Sequence, residues 1–346
     1  MTRRIMVGGI PIGGGAPVAI QSMNNTKTHD VAATLAQIKQ LADAGCEITR
    51  VAVPDERAAR VIGEIVAASP IPVVADIHFD HRLALLCAEA GIHKIRINPG
   101  NIGSKECVQA VAEACGARSI PIRIGVNGGS LHPALLKKHG GVTAEALAES
   151  ALSQAAMLAE FDFQDICISI KSSHVKTMMA AYRLVSNACD YPLHLGVTEA
   201  GTIHMGTIKS AIGIGGLLVD GIGDTLRVTL TADPVEEVRI AKDILQSIGL
   251  RQEGVEIVSC PTCGRTDIDL FSLVEQVEQR VKSIKMPLTI AIMGCAVNGP
   301  GEARHADFGI AGGTGEGLIF TKGEIIRKVP QALLVEELMK EIQAHT

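Results

Sequence analysis

The sequence predicts an α/β protein, a (β/α)8 TIM barrel followed by a small α+β domain. Three observations predict it. Eight apolar extended runs alternate with Ala-rich helical patterns over the first 250 residues or so, the count and size of a closed barrel. Past a polar "RQEG" stretch the chain changes character. Aromatics are nearly absent, with Trp 0, Tyr 2 and Phe 6, so the core must be built from Val, Ile, Leu and Ala, as a helix-covered parallel sheet is.

A Gly-rich opening reads as a short hairpin. The extended runs then follow as "APVAIQSM" (16–23), "CEITRVAV" (46–53), "IPVVADIHF" (71–79), "IHKIRINPG" (92–100), "SIPIRIGVNGG" (119–129), "DICISIKSS" (165–173), "YPLHLGVTEAG" (191–201) and "DTLRVTLTADP" (224–234). Between them, segments such as "HDVAATLAQIKQLADAG" and "DERAARVIGEIVAAS" repeat apolar residues at three and four; several open at Asp or Thr and close at Gly. An open doubly wound sheet would carry a Gly-rich phosphate loop after its first strand. The nearest approach, "AIGIGGLLVDGIG" (211–223), lacks G-x-G-x-x-G spacing in a strand-turn-helix context, and its glycines read as turn and packing residues. The eighth helix, "PVEEVRIAKDILQSIGL", ends at the "RQEG" linker, which divides the chain into domains 1–250 and 251–346. The second domain reads as "VEIVSCPTCGRTDIDL", a helix from about Leu270 to Lys285, a strand "PLTIAIMGC", a glycine-rich turn, a strand "GLIFTKGE" and a terminal helix ending near Ile342.

With 346 residues, 47% hydrophobic and 20% charged, the chain can bury a sizeable core. A net charge of -5, without a Lys/Arg run or an aromatic platform, argues against a nucleic-acid partner. No apolar stretch approaches the roughly 20 residues of a membrane span, and the start has no apolar signal region, so a cytoplasmic protein without a membrane partner is expected. Nine cysteines, an odd number, point to reduced thiols.

Five of the eight runs carry a cation inside an apolar stretch: Arg50, Arg96, Arg123, Lys171 and Arg227. Burying an unpaired charge is costly, so each needs a partner or a ligand. Pairing with neighbouring strands would satisfy them, but only Asp76 and Glu199 occupy comparable acidic positions. Residues near the C-terminal strand ends converge on one mouth, where barrel active sites lie, so the cations read as a cage for a multi-phosphate or polycarboxylate ligand. Asp76, His78, Asn98, Asn127, Thr198 and Glu199 complete a polar ring there.

The thiols fall in two groups. Cys46, Cys87, Cys107, Cys115, Cys167 and Cys189 lie in helical or strand patterns and read as structural. Cys260 and Cys263 form a Cys-x-x-Cys pair, and Cys295 sits in a turn crowded with Gly294, Gly299, Pro300 and Gly301. A thioredoxin-like pair belongs after an early strand of a βαβ unit, not after a complete barrel. Zinc would want a fourth Cys or His at the usual spacing. Three thiolates plus a position that need not be sulfur match an iron-sulfur cluster with one special iron better. Cys295 as a small buried hydrophobe is the competing reading.

In this order and spacing, "ADIHFD", "KIRINPGNIG", "RIGVNGGSL", "SIKSS", "LGVTEAG", "SCPTCGR" and "GCAVNGPGEARHAD" resemble the bacterial two-domain 4-hydroxy-3-methylbut-2-enyl diphosphate synthases of the non-mevalonate isoprenoid pathway. The resemblance covers essentially the whole chain. It implies a 4Fe-4S cluster held by Cys260, Cys263, Cys295 and Glu302, and a two-electron reduction of 2-C-methyl-D-erythritol 2,4-cyclodiphosphate with ring opening and loss of water. It further implies electrons delivered singly by a flavodoxin or ferredoxin, and a homodimer in which each cluster domain closes the other subunit's barrel mouth. On that footing Arg50, Arg96, Arg123, Lys171 and Arg227 hold the phosphates, with Asp76, His78, Asn98, Asn127 and Thr198 as further substrate contacts. Glu199 is then the candidate proton donor to the departing hydroxyl, and Asn298 hydrogen-bonds substrate. Two other classes stay open on the residues alone: a non-redox barrel lyase or transferase with a zinc-stabilised tail, and a tail that only binds an electron carrier.

Overall fold

Gly8 and Gly9, at φ 53° and 91°, turn strand β1 (Ile5–Val7) back on antiparallel β2 (Ile10–Ile12), as the Gly-rich opening suggests. Eight parallel strands follow, one in each extended run. They are β3 (Ala19–Met23), β4 (Ile48–Ala52), β5 (Val73–Asp76), β6 (Lys94–Ile97), β7 (Ile122–Asn127), β8 (Ile166–Lys171), β9 (His194–Leu195) and β10 (Thr225–Leu226). The sheet order is β8-β7-β6-β5-β4-β3-β10-β9, and a parallel bridge between Ile168 and Leu193 joins its two ends into a barrel. The computed structural model describes residues 1–266, 268–295, 301 and 303–345. Within it the chain divides into two compact units, Met1–Leu250 and Arg251–Thr346.

Helices follow the strands, and their starts obey local chemistry. Asp30, Asp80, Thr143 and Asp233 each accept a backbone N–H of the first turn, from Ala33, Arg82, Ala146 and Val235. Of the turn and packing roles expected for the glycines of "AIGIGG", packing is the one they fill. They lie in a helical segment, Ile203–Ser210 continuing through a π-helical Ala211–Gly215 into Gly216–Val219. A Cβ on Gly213 would meet Met178 at 2.9 Å, and one on Gly216 would meet Met179 at 2.8 Å, so close packing on the neighbouring helix is their role.

Strand alternation divides the barrel residues into two sets. The outward set, including Val51, Val73, Ala75, Ile95, Ile97, Ile122, Ile124, Ile166, Ile168 and Ile170, forms the core under the helices. The inward set is unlike an ordinary apolar barrel filling. At the bottom Ala19, Ile48, Val74 and Cys167 join Ile5, Val7 and Ile12 of the hairpin in one apolar cluster that plugs the barrel. The remaining inward positions include Gln21, Arg50, Asp76, Lys94, Arg96, Arg123 and Ser169, all buried.

The second unit has a five-stranded sheet in the order β11 (Val255–Ser259), β12 (Leu288–Met293), β13 (Phe308–Gly312), β14 (Glu316–Thr321) and β15 (Glu324–Pro330). The first three are parallel and the last two antiparallel. Helices Leu270–Val281 and Leu334–His345 pack on one face through Leu273, Val277, Leu334, Leu338 and Ile342. Strands β13 and β15 fall outside the sequence-based reading, which has only a glycine-rich turn between "PLTIAIMGC" and "GLIFTKGE" and a helix after it. The small residues of "FGIAG" hide β13, although Gly309 must be bare there, since a Cβ would lie 2.1 Å from the Phe320 ring.

Candidate active site

The barrel cations do converge. Asp76 is their shared counter-ion. Its Oδ1 accepts from Arg96 Nη1 at 3.2 Å, and its Oδ2 lies 3.8 Å from Arg50 Nε. Burial pushes the Asp76 carboxyl up, but Arg50 and Arg96 together outweigh it and hold it far below the usual range. Arg50 spends Nε and Nη2 on the Met23 sulfur at 3.1 and 2.8 Å, a weak acceptor for a guanidinium. Arg96 Nη2 donates to the Gly125 carbonyl at 3.2 Å, and its Nη1 also meets His78 Nε2 at 2.5 Å. Burial first, then Arg96 and Arg50, push the His78 imidazole down against the opposing pull of Asp76, so it faces Arg96 as a neutral acceptor. Arg123 Nη1 donates to Gln21 Oε1 at 3.2 Å.

Much of this charge is left without a partner. Among the described residues, Arg50 Nη1, Lys94 Nζ, Arg96 Nε, Arg123 Nε and Nη2, and Gln21 Nε2 are buried and have none. Asn127 Oδ1 is the acceptor in the same condition at the strand ends. Burial, then mutual repulsion, pushes Lys171 and Arg50 well down, burial chiefly pushes Arg123 to about 10, and Lys94 falls to about 8. A barrel that gathers donors this way, with Asp76 as their shared carboxylate, is pre-charged for an acceptor-rich anion.

The other expected site residues divide. Arg227 is already paired: Nε and Nη2 each reach Glu237 at 3.2 Å. Glu237, on the helix Pro234–Ser247, also accepts from Ser22 Oγ and the Leu230 N–H, both at 3.1 Å. Counting acids only on strands therefore undercounts, because a buried helix carboxylate folds back onto the barrel. Asn98 is spent on its own loop, with Oδ1 taking the Gly100 N–H at 3.1 Å and Nδ2 donating to Ser130 Oγ at 3.0 Å. Thr198 is half-buried just past β9. Glu199 beside it is exposed, with φ 51°, and Phe79 past β5 is 73% exposed with φ 66°. Both are non-glycine residues held at positive φ, a strained backbone state. Asn298 and Glu302 lie outside the described residues.

Sequence reasoning missed Lys94, Gln21, Glu237 and Gly125. The last has a clear signal, a glycine inside a strand. A Cβ at 125 would stand 2.3 Å from Arg96 Nε, so the glycine makes room for the guanidinium.

In the second unit topology does what spacing cannot. Strands β11 and β12 are adjacent and parallel, with Ser259 in register with Ile292. Cys260 and Cys295 therefore leave the same ends of neighbouring strands, and Cys263 shares the loop of Cys260. Gly294 N–H donates to Cys260 Sγ at 3.1 Å. The Arg265 backbone and side chain hold the Cys263 thiol below its ordinary value, with help from Thr266. These donors suit thiolate ligands. Among the described residues no group of three or more His, Cys, Asp or Glu side chains is yet placed to hold a metal ion.

Fold and site together define a TIM-barrel protein with buried, partly unpartnered cations in its interior, joined to a unit that brings Cys260 and Cys295 to the same ends of neighbouring strands. Family profiles sharpen this: the GcpE TIM-barrel domain matches residues 2–242, and the GcpE protein C-terminal domain matches residues 256–344. The 4-hydroxy-3-methylbut-2-en-1-yl diphosphate synthase (flavodoxin) of Clostridium perfringens is 60% identical over 342 residues, 99% of this chain and 98% of that one. Its counterpart in Geobacter sulfurreducens is 57% identical, covering 99% and 97%. The chain belongs to the GcpE family of 4-hydroxy-3-methylbut-2-en-1-yl diphosphate synthases. Among solved structures, a type I 3-dehydroquinate dehydratase from Clostridium difficile aligns with TM-score 0.53 at 15% identity, covering 71% of this chain and 98% of that one. A dihydropteroate synthase from Yersinia pestis aligns at 0.51 and 12%, covering 72% and 100%. At such identities the likeness is one of barrel fold alone. Among the described residues no helix is long and apolar enough to cross a membrane.

Proposed function

We propose that this chain reduces 2-C-methyl-D-erythritol 2,4-cyclodiphosphate to 4-hydroxy-3-methylbut-2-enyl diphosphate. Two electrons enter, the ring C–O bond to phosphate breaks, and the neighbouring hydroxyl takes a proton and leaves as water. The observation that carries this reading is the set of buried, unpartnered cation donors in the barrel, in a chain of this family. The cyclic substrate has one ionised oxygen on each phosphorus, and ring opening adds another. A cage of fixed cations therefore binds the opening diphosphate more strongly than the closed ring, which is differential stabilisation of the reacting state.

Arg50, Arg96, Arg123 and Lys171 hold the phosphates, Asp76 keeps two of the guanidiniums aimed, and His78 fixes Arg96. Arg227 orients through Glu237 and contributes less free charge. Asn127 and Thr198 face the substrate at the strand ends, and Asn98 shapes the loop around it. Glu199 gives the proton to the leaving hydroxyl. The desolvation that role requires must come from whatever closes the mouth, since the side chain is exposed on the barrel unit. Cys260, Cys263, Cys295 and Glu302 would hold a 4Fe-4S cluster, and Asn298 would contact substrate beside it. When bound, that cluster supplies the electrons one at a time from a flavodoxin or ferredoxin. The working form we propose is a homodimer in which each cysteine-bearing unit serves the partner's barrel.

The test is anaerobic reconstitution, metal analysis and reduction of the cyclodiphosphate by a chemical electron donor. Stoichiometric iron and release of the allylic diphosphate are expected. Zinc in place of iron, or an unreduced product, would overturn the reading.

A further inference from the structure

Lys94 opens β6 in register with Val74, a member of the apolar cluster that plugs the barrel, and through Val74 it shares a register with Arg50. Alternation puts its side chain on the same inward face as Arg96, two residues on. Lys94 is 0% exposed, and its Nζ has no hydrogen-bond partner among the described residues. After burial, the groups acting on it most are Cys167, Arg123 and Arg50, and no carboxylate stands among them.

Its surroundings repeat the pattern. Gln21 gives its Oε1 to Arg123, which leaves Gln21 Nε2 buried and unpartnered, and Arg123 Nε and Nη2 are in the same state. Donors therefore line the bottom of the cage as well as its mouth. Lys171 and Asn127, in register at the far ends of β8 and β7, mark that mouth. Burying an ammonium beside guanidiniums is unfavourable unless an acceptor-rich group fills the space.

We infer that Lys94, Gln21 and the inner edge of Arg123 form a deep phosphate subsite beneath Arg96 and Lys171, with Arg50 at its side, so that a diphosphate stands in the barrel with one phosphate down and the other at the mouth. The inference rests on the proposed cyclodiphosphate substrate, and it makes Lys94 a substrate-binding residue rather than a core residue.

The probe is inorganic pyrophosphate, titrated calorimetrically into the cluster-loaded full chain and into its Lys94→Met and Gln21→Glu variants. Lys94→Met is expected to melt no lower than wild type without ligand, to weaken pyrophosphate at least about tenfold, and to raise KM for the cyclodiphosphate by a similar factor, with kcat within about threefold. Gln21→Glu keeps an acceptor for Arg123, removes the Nε2 donor and sets a negative charge against the proposed phosphate, so it should weaken pyrophosphate in the same direction. A folded Lys94→Met that binds pyrophosphate within about twofold of wild type overturns the subsite, the outcome expected if water alone fills the space. If Lys94→Met does not fold, an unchanged affinity in Gln21→Glu overturns it instead. If pyrophosphate binding depends on Lys94 but wild type never consumes the cyclodiphosphate, the subsite stands and the proposed reaction falls.

Discussion

The barrel interior and the cysteine loops prepare for their ligands in opposite ways. The barrel is complete without one: its cations are buried, aimed by Asp76, Gln21 and Gly125, and strained by mutual repulsion. The cysteine loops are only partly organised, with Cys263 exposed, Cys260 and Cys295 half-buried, and a few N–H donors already turned on sulfur. A fixed cage can be electrostatically pre-organised because its residues sit on strands, whose ladder determines where each side chain goes. Ligands on loops at strand ends are gathered when the bound group itself ties them together.

This difference can be broken on either side. The largest effect belongs to the loops. Cys263→Ser should remove bound iron and lower cyclodiphosphate turnover by more than about a thousandfold, while calorimetry still finds pyrophosphate bound in the barrel. Loss of pyrophosphate binding together with iron would mean that the two preparations are not separate. Glu199→Gln should keep both iron and substrate affinity and lose about 10²- to 10⁴-fold in kcat, the range of general acid catalysis. Full turnover in a cluster-loaded variant removes Glu199 from the reaction.

Within the cage, Arg123→Met should raise KM by roughly a hundredfold without changing iron content. Gly125→Ala should follow it by about tenfold, because its methyl group would displace Arg96 from between Asp76 and the Gly125 carbonyl. Steady-state kinetics on iron-matched samples separates the two effects.

The smallest effect is one of stability. The Lys94 ammonium titrates at about 8 when folded against 10.5 in the unfolded chain, so between these values the unfolded state binds more protons and stability rises with pH. Arg50, Arg123 and Cys167 face the same space, and thiols such as Cys167, which burial pushes up, act in the opposite direction as pH rises. The difference between wild type and Lys94→Met isolates the lysine. Without ligand, denaturant titrations should show wild type gaining on the variant as pH rises from about 8 toward 10.5, and a constant gap would refute a buried, unpartnered ammonium.

Sequence alone made the barrel legible because each strand left an apolar run of the right length, and it made Arg96 and Arg123 visible as charges inside such runs. Lys94 escaped because it stands beside His93 at the start of its run rather than inside an apolar stretch. Glu237 escaped because "PVEEVRI" reads as the solvated face of a helix, and only the folded chain turns that carboxylate inward. The relation of Cys260 to Cys295 depends on β11 and β12 being neighbours, a long-range pairing that no local pattern encodes.

The central claim is that anion binding in the barrel and electron delivery through the cysteine-bearing unit serve one reaction. Its most direct test is an anaerobic titration of cluster-loaded protein with reduced flavodoxin at fixed cyclodiphosphate, counting allylic diphosphate formed against electrons consumed. One product for every two electrons is expected. Electrons consumed without product, or product formed without electrons, would contradict it.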